Sequence, residues 1–232
     1  MAICASFAGR EPKASPPILR QTDDQARPCR GTSTELWRPK DPVAYSYLLG
    51  IYLGDGYVGR HERTWSLQLE LDSTYPGIIR ECASAIERVL PVVVGEYRRP
   101  GSNGVRLYAY SRLWPEVFPQ HGTGKKHARP IRLSDWQADI CDRHPRQLLR
   151  GLIHSDGSRS INRFKVLLPS GRLAEYAYVR YFFTNYSADI QGIFCGYCDR
   201  LGLRWTQSSR KNISIADRRS VAILDSFVGS KE

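Results

Sequence analysis

Two stretches of the 232-residue chain follow one pattern, LLGIYLGDG at Leu48–Gly56 and LRGLIHSDG at Leu149–Gly157. Each is an apolar run with helical spacing that ends in a small residue, an aspartate and a glycine. Asp41 and Pro42 precede the first run and Pro145 precedes the second, and these residue types favour the start of a helix. Both stretches are therefore predicted to form helices of about three turns that end at the glycine.

Small residues recur four positions apart in both predicted helices, and they therefore lie on one face of each helix. They are Gly50, Gly54, Gly151 and Ser155. Because small side chains let two helix backbones approach closely, the two helices are predicted to pack against each other through these faces. Asp55 and Asp156 would then lie side by side at the negative ends of two helix dipoles, where they repel each other.

A divalent cation would relieve this repulsion. Magnesium prefers hard oxygen ligands, which two carboxylates and the neighbouring helix-end carbonyls can supply. The alternative is that each Asp-Gly pair is only a helix end followed by a turn, but its duplication on a basic chain favours a metal site. The predicted site for Mg²⁺ (or Mn²⁺) consists of Asp55, Asp156, Gly54 and Ser155.

The segments that follow the two helices also correspond. Apolar and polar side chains alternate strictly in residues 65–72 and less regularly in residues 178–184, which predicts strands. Further helices and short strands follow, a hairpin turn is predicted at Pro169–Gly171, and the closing helices are predicted at 112–119 and 220–228.

The order helix, two strands, helix, two strands, helix therefore occurs twice. This duplication predicts an α+β fold of two αββαββα subdomains that are related by a pseudo-twofold axis. The first repeat is assigned to residues 41–138 and the second to residues 139–232.

The chain carries 34 Lys and Arg residues against 23 Asp and Glu residues, a formal net charge of +11. Such an excess favours a polyanionic partner such as nucleic acid over a charge that serves only solubility. The basic segment 1–40 is rich in Pro, Arg, Ser and Thr and is predicted to be mostly disordered.

The six cysteines are scattered along the chain without the density of a disulfide scaffold, which favours a reducing, cytoplasmic environment. Cys195 and Cys198 form a CxxC pair, but no second pair completes a zinc site, so bound zinc is not favoured. No apolar run is long enough to cross a bilayer, and a membrane location is not expected.

The repeated motif resembles the signature of the LAGLIDADG (dodecapeptide, DOD-type) homing endonucleases in their single-chain, two-motif form. Both copies keep the glycine at the third position and the final Asp-Gly. The sixth position, which is often acidic in that family, is Leu53 in one copy and His154 in the other. The seventh position is Gly54 in one copy and Ser155 in the other. The resemblance covers residues 41–232.

The resemblance implies a monomeric, metal-dependent endonuclease that cuts double-stranded DNA at specific sites. Two saddle-shaped antiparallel sheets would read the major groove, and the paired helices would stand above the minor groove. The aspartate of each motif would bind catalytic metal, and the two strands would be cut a few bases apart. Two alternatives remain open: a DNA-binding regulator on the same fold that does not cut, and an RNA-splicing helper.

The resemblance also nominates other catalytic residues. Lys125 and Lys126 follow the closing helix of the first repeat, and Lys231 is their counterpart in the second repeat. Ser73 and Asn185 lie at the ends of inner strands, where polar groups would hold the attacking water.

DNA contacts are predicted on the strands and turns. Gln68 and Glu70, on the polar face of the first strand, suit adenine and cytosine edges. Tyr108 and Tyr110 either face DNA or cover the sheet. Ten basic residues are predicted to lie on the same concave side and mainly to contact phosphate: Arg60, Arg63, Arg98, Arg99, Arg106, Arg159, Arg163, Arg180, Arg210 and Lys211.

Three histidines raise the possibility of a histidine-metal nuclease. His121, His127 and His154 match no ligand spacing of that class, and His154 is expected on an outer helix face. The large aromatic residues Trp114, Trp136 and Phe118 are assigned to the core.

Overall fold

The computed structural model of the chain describes residues 20–21, 37–229 and 231. The first repeat contains helices α1, α2 and α3 and two pairs of strands. In chain order these elements are α1 (Pro42–Asp55), β2 (Gly56–Arg60), β3 (Trp65–Asp72), α2 (Pro76–Val89), β4 (Gly95–Arg98), β5 (Gly104–Ser111) and α3 (Trp114–Val117).

The second repeat has the same order of elements. They are α5 (Pro145–Asp156), β7 (Gly157–Leu167), β8 (Leu173–Thr184), α6 (Ala188–Arg200), β9 (Thr206–Ser209), β10 (Asn212–Ile215) and α7 (Arg218–Val228). The two repeats are joined by a 3-10 turn (Lys126–Ala128), the short strand β6 (Leu133–Ser134) and helix α4 (Asp135–Arg143).

Each repeat folds into one four-stranded antiparallel sheet. The strand order is β2-β3-β5-β4 in the first and β7-β8-β10-β9 in the second, so the two sheets have the same topology. The predicted α+β fold of two αββαββα units is confirmed.

The predicted helix starts follow from local chemistry. The Asp41 carboxylate accepts a hydrogen bond of 2.9 Å from the backbone N–H of Ala44, and Pro42 occupies the first turn of α1. Pro145 starts α5 in the same way, although no side chain caps that helix. Both helices end at the motif aspartate, and the glycine at which the sequence predicted the end is the C-cap residue.

The glycine after each aspartate is required by packing. Gly56 has φ −92° and Gly157 has φ −97°, so both enter a strand directly and neither adopts the left-handed conformation. A Cβ on Gly56 would lie 2.5 Å from Cα of Tyr52, and one on Gly157 would lie 2.6 Å from Cα of Ile153. A larger residue would therefore push the strand away from the helix end.

Helix α1 is buried on almost every side. Leu48, Leu49, Ile51 and Leu53 are fully buried, because the helix packs against α5, α2 and the first sheet. Trp114 and Phe118 lie in the core, as predicted, and Trp136 packs against it while partly exposed.

The first repeat closes differently from the prediction. The helix expected at 112–119 is only the single turn α3, whereas its counterpart α7 has 11 residues. Pro119 restricts Phe118 to an extended conformation (φ −125°, ψ 79°), which stops the helix.

The predicted hairpin turn is confirmed: the backbone N–H of Leu168 donates to the carbonyl of Arg172 at 2.9 Å, and Gly171 has φ +75°. The predicted division of the repeats between residues 138 and 139 falls inside α4, and the division stays a prediction.

The segment predicted to be disordered is described only in part. Residues 1–19 and 22–36 lie outside the described residues. Arg20–Gln21 form the short strand β1, which pairs in parallel with β6. None of the helices in the described ranges is long and apolar enough to span a membrane.

Candidate active site at the paired helix ends

The two motif helices cross at glycines. A Cβ on Gly50 would lie 2.5 Å from the carbonyl oxygen of Leu148, and one on Gly151 would lie 3.0 Å from Cα of Gly50 and collide with the carbonyl of Tyr47. Only glycine fits at these two positions. The predicted contact through small residues is therefore confirmed.

One turn further along, the contact continues at the motif ends. A Cβ on Gly54 would overlap the side chain of Ser155 and lie 2.9 Å from Oδ2 of Asp156. Asp55 and Asp156 therefore come together, and both line a cavity of about 440 Å³ beside the helix ends. Asp55 also lines a second cavity of about 300 Å³.

The paired carboxylates are electrostatically strained. Burial raises the pKa of Asp55 to about 7, and the negative charge of Asp156 adds to this effect. Burial likewise raises the pKa of Asp156, while its hydrogen bond with Asn185 opposes the rise. The positive charges of Lys126 and Lys231 offset part of the cost at both aspartates.

Lys126 binds the carboxyl end of α1. Its Nζ donates to the carbonyls of Leu53 at 3.1 Å and Gly54 at 3.3 Å, and also to that of Tyr52, whose ring centroid lies 4.7 Å away. Burial lowers its pKa to about 8, although the two aspartates favour the charged form. Of the two lysines predicted here, Lys126 is therefore the one at the helix end, while Lys125 lines the larger cavity.

Lys231 occupies the corresponding place in the second repeat. Its Nζ donates to the carbonyl of Gly157, the residue after Asp156. Burial lowers its pKa, and the charges of Asp55 and Asp156 oppose that shift. Each motif helix thus has one lysine at its carboxyl end, and the catalytic role of these lysines stays a prediction.

Asn185 and Ser73 hold matching positions in the two sheets. The backbone N–H of Asn185 donates to the backbone carbonyl of Lys211 at 2.9 Å, and the backbone N–H of Ser73 donates to that of Asn103 at 2.7 Å. The Asn185 side chain reaches the site, because its Nδ2 donates to Oδ2 of Asp156 at 2.6 Å. Ser73, in contrast, lines neither of the two cavities.

The expected outer position of His154 is wrong. The side chain is buried between helices: its Nε2 donates to the carbonyl of Val228 at 2.9 Å, and its Nδ1 accepts from the hydroxyl of Tyr47 at 3.0 Å. Burial lowers its pKa to about 4, which keeps the ring neutral. Helix α7 covers this face of α5, and helical periodicity does not reveal a contact between segments so far apart in sequence.

Arg150, which the sequence did not single out, fastens the end of α7 to the motif helix. Its guanidinium forms a bidentate ion pair with the Glu81 carboxylate of α2, with both distances 2.8 Å. It also donates to the backbone carbonyls of Phe227, at 2.6 Å, and Val228. This contact holds the segment that carries Lys231 against α5.

The structure also describes Ser155, a predicted metal ligand, and the thiols of Cys195 and Cys198. The Ser155 hydroxyl donates to the carbonyls of Gly151 and Leu152, so the backbone carbonyl of Ser155 is its better metal ligand. Cys195 and Cys198 are buried within α6. Within the described ranges, no group of three or more His, Cys, Asp or Glu side chains could hold a metal ion.

Solved structures share this architecture. A crystal structure of the I-LtrWI LAGLIDADG homing endonuclease bound to target DNA superimposes with a TM-score of 0.52 at 9% identity, covering 82% of this chain and 85% of that chain. Mesophilic variants of the homing endonuclease I-DmoI superimpose with a TM-score of 0.53 at 14% identity, covering 82% of this chain and 98% of that chain. The chain has the LAGLIDADG fold.

A LAGLIDADG domain from a further protein also has a similar structure. The N-terminal LAGLIDADG domain of DUF199/WhiA matches with a TM-score of 0.50 at 12% identity, covering 82% of this chain and 83% of that chain. Comparisons with protein-family models and with curated protein sequences gave no match.

Strand register decides which basic residues lie on the outer face, meaning the face of each LAGLIDADG sheet opposite the buried leucines or aromatic residues. Gln68 and Glu70 lie on that face, and Arg106 binds Glu70 at 2.5 Å. In the second sheet Arg180 lies on it, over the rings of Tyr178 and Phe182. Residues in or beside the turns are Arg63, Arg99, Arg210 and Lys211.

Four predicted phosphate contacts are on the opposite face. Arg159 pairs with the buried Tyr181 across β7 and β8, and its guanidinium binds Asp225 of α7 at 2.9 Å. The other three, whose strand partners also belong to the helix side, are Arg60, Arg98 and Arg163. The predicted common concave placement is wrong for these four, because a shift of one residue in a strand reverses the face.

The tyrosines that the sequence left undecided are on the outer face. Tyr108 and Tyr110 pair with Gln68 and Ser66, and the Tyr110 side chain is 53% exposed. Tyr57 and Tyr97, which the sequence did not single out, share this face and are equally exposed. Exposed rings beside polar groups suit base or sugar contacts.

The raised pKa of Asp55 predicts how the metal-free protein responds to pH. A carboxyl whose pKa rises on folding, here from 3.8 to about 7, stabilises the fold fully below pH 4, and that stability is lost as the pH rises to about 7. The lowered pKa of Lys126 acts only above about pH 8, where it makes stability rise with pH. The pH range in which Asp55 changes the stability therefore lies below the range in which Lys126 does.

Urea unfolding in EDTA tests this. We expect Asp55→Asn to match the wild type at pH 4 and to exceed it by about 1–3 kcal/mol at pH 7.5, an estimate reduced for the solvent that reaches the cavity. Adding Mg²⁺ at pH 7.5 should raise the melting temperature of the wild type more than that of the variant. If the stability difference between the wild type and Asp55→Asn did not change with pH, the raised pKa assigned to Asp55 would be wrong.

Proposed function

We propose that the protein is a monomeric, intracellular endonuclease that cuts specific sites in double-stranded DNA with a divalent metal ion. The observation that carries the proposal is the pair of carboxylates, Asp55 and Asp156, at two helix ends that touch. Their burial and mutual repulsion destabilise the free protein, so their presence together is explained by a cation that both can bind.

The donor groups fit Mg²⁺ (or Mn²⁺). Asp55, Asp156 and the backbone carbonyls of Gly54 and Ser155 are hard oxygen donors, and phosphate oxygens of DNA and water can complete the octahedral set that magnesium requires. The ion would neutralise charge on the phosphate and lower the pKa of the attacking water.

The protein's own groups have separate roles in this proposal. Lys126 and Lys231 supply positive charge next to the carboxylates and stabilise the negative charge that develops on the phosphate. Asn185 orients the Asp156 carboxylate through its 2.6 Å hydrogen bond. The Asn185 side chain is itself held in place, because its Oδ1 accepts a hydrogen bond from the backbone N–H of Ser187. Two motifs in one chain supply both carboxylates, which supports a monomer.

Charge and shape support DNA as the partner. The net charge of +11 favours a polyanion, and the outer faces of both sheets present arginine, glutamine and tyrosine side chains. I-LtrWI, which has the same fold, was crystallised with its target DNA.

A second candidate is a DNA-binding protein that does not cut. It is favoured by the fold match with the LAGLIDADG domain of DUF199/WhiA, whose name states no endonuclease activity. Binding needs only the sheets and their basic residues, whereas cutting needs both aspartates.

A selection followed by a cleavage assay separates the two candidates. Duplexes bound by the protein are enriched from a randomised pool in Ca²⁺, and the enriched site is cloned into a supercoiled plasmid. We expect linear plasmid with Mg²⁺ and intact plasmid with EDTA. A plasmid that is bound but stays intact with Mg²⁺ and Mn²⁺ would support the second candidate, and a pool without enrichment would contradict both.

A further inference from the structure

The outer face of the first sheet carries an ion pair at its centre. Glu70 of β3 and Arg106 of β5 lie directly opposite each other, and these two strands are the inner ones of the sheet. The Nε of Arg106 donates to Oε1 of Glu70 at 2.5 Å, and Nη2 of Arg99 lies 3.6 Å from Oε2 of Glu70. Arginines therefore engage both carboxylate oxygens on the face that is proposed to meet DNA.

Folding stability does not account for this arrangement. The side chains of Glu70 and Arg106 are 44% and 38% exposed, and ion pairs between exposed side chains contribute little to stability. On a surface that binds a polyanion, a carboxylate repels phosphates and occupies donors that the arginines would otherwise offer them. Glu70 therefore weakens binding to DNA in general, and it can favour binding only where the sequence presents a hydrogen-bond donor.

The ion pair matches one base pair in the major groove. A carboxylate accepts from the N4 amino group of cytosine, and a guanidinium donates to O6 and N7 of guanine. These two edges lie side by side in a C·G base pair, as the acceptor of Glu70 and the donors of Arg106 do in the sheet. Because Arg106 bonds Glu70 through Nε, its two Nη groups can reach guanine while the ion pair stays formed.

We propose that Glu70 and Arg106 together read one C·G base pair in the half of the DNA site bound by the first repeat, and that Glu70 lowers the affinity for any other base pair there. This inference rests on the proposed DNA-binding function. Any other base pair leaves the Glu70 carboxylate without its donor while it faces the negative charge of DNA, so the specificity arises from repulsion as well as attraction.

The test measures affinity by gel shift in Ca²⁺ for duplexes that carry the selected site, with all four base pairs placed in turn at each position. We expect the wild type to prefer C·G at one position by about 5- to 150-fold. Glu70→Gln and Arg106→Gln should each reduce the preference at that same position to less than about threefold. Preferences at the other positions should stay unchanged.

Binding to a scrambled duplex separates the roles of the two residues. Glu70→Gln should raise this affinity by about 3- to 10-fold and steepen its dependence on salt, because two guanidinium groups are freed for phosphates. Arg106→Gln should lower it. Arg106 lines neither of the two cavities beside the aspartates, so a loss of preference shared by both variants cannot come from altered metal binding at Asp55.

Glu96→Gln is the matched control. Glu96 is 39% exposed and forms a 2.8 Å ion pair with Arg98 in the same sheet, but their strand partners, Leu107 and Val105, are buried on the helix side. The variant should keep every base preference and the wild-type affinity for the scrambled duplex. Melting temperatures identify any variant that fails to fold.

Two results would overturn the inference even for a protein that cuts DNA. One is a folded Glu70→Gln protein that keeps the wild-type preference at every position. The other is that Glu70→Gln and Arg106→Gln relax different positions. If the wild type enriches no site from the randomised pool, the proposed function fails together with this inference.

Discussion

Replacing Asp55 or Asp156 by asparagine is expected to slow DNA cleavage at least about 10³-fold and to change DNA affinity by less than about threefold. Asparagine keeps the shape of aspartate but lacks the charge that holds a divalent cation. Affinity should persist because the groups on the outer faces of the sheets are unchanged. Single-turnover cleavage and gel-shift titration of the same duplex measure the two effects separately.

Glu87→Gln serves as the matched control for these variants. It removes one negative charge from an exposed position on α2, and both cleavage and binding should stay at the wild-type level. A loss of binding greater than tenfold in a folded Asp55→Asn or Asp156→Asn protein would show that the carboxylates maintain the binding surface, and the catalytic assignment would be wrong.

Replacing Gly151 by alanine should have the largest effect on stability. The added Cβ would collide with the carbonyl of Tyr47 and lie 3.0 Å from Cα of Gly50, and backbone atoms of a buried helix cannot move aside easily. We expect the free energy of unfolding to fall by about 2–4 kcal/mol, measured by urea denaturation. Any folded protein should also cut more slowly, because the separated helices no longer hold both aspartates together.

Gly104→Ala is the control for this substitution. Gly104 starts β5, and a Cβ there would come no closer than 3.3 Å, to a serine side chain at the surface. Its stability should differ from the wild type by less than about 1 kcal/mol. If Gly151→Ala were as stable as Gly104→Ala, the close helix contact would be wrong.

Some features of the site could be predicted because their signals are local. The spacing of Gly50 with Gly54 and of Gly151 with Ser155 indicated the helix pair, and the packing at Gly50 and Gly151 confirms it. Alternation in residues 65–72 placed Gln68 and Glu70 on the polar face correctly.

Other assignments failed where they depended on register. Arg98 and Arg159 were placed with the outer-face residues, but their strand partners, Val105 and Tyr181, face the helices. The sequence around a basic residue near a strand end does not show on which face of the sheet its side chain lies. A shift of one residue moves the side chain to the other face.

Helical and strand periods, helix starts and the duplicated order of elements are properties of short segments, and the amino-acid pattern alone was enough to predict them. The surroundings of Asp55 and Asp156 depend instead on contacts between distant segments. Lys126 reaches α1 from more than 70 positions away, α7 folds over His154, and Arg129 enters the cavity beside Asp156. The charged surroundings of the two aspartates arise only from this packing, because no local pattern encodes which charges from remote loops converge on a helix end.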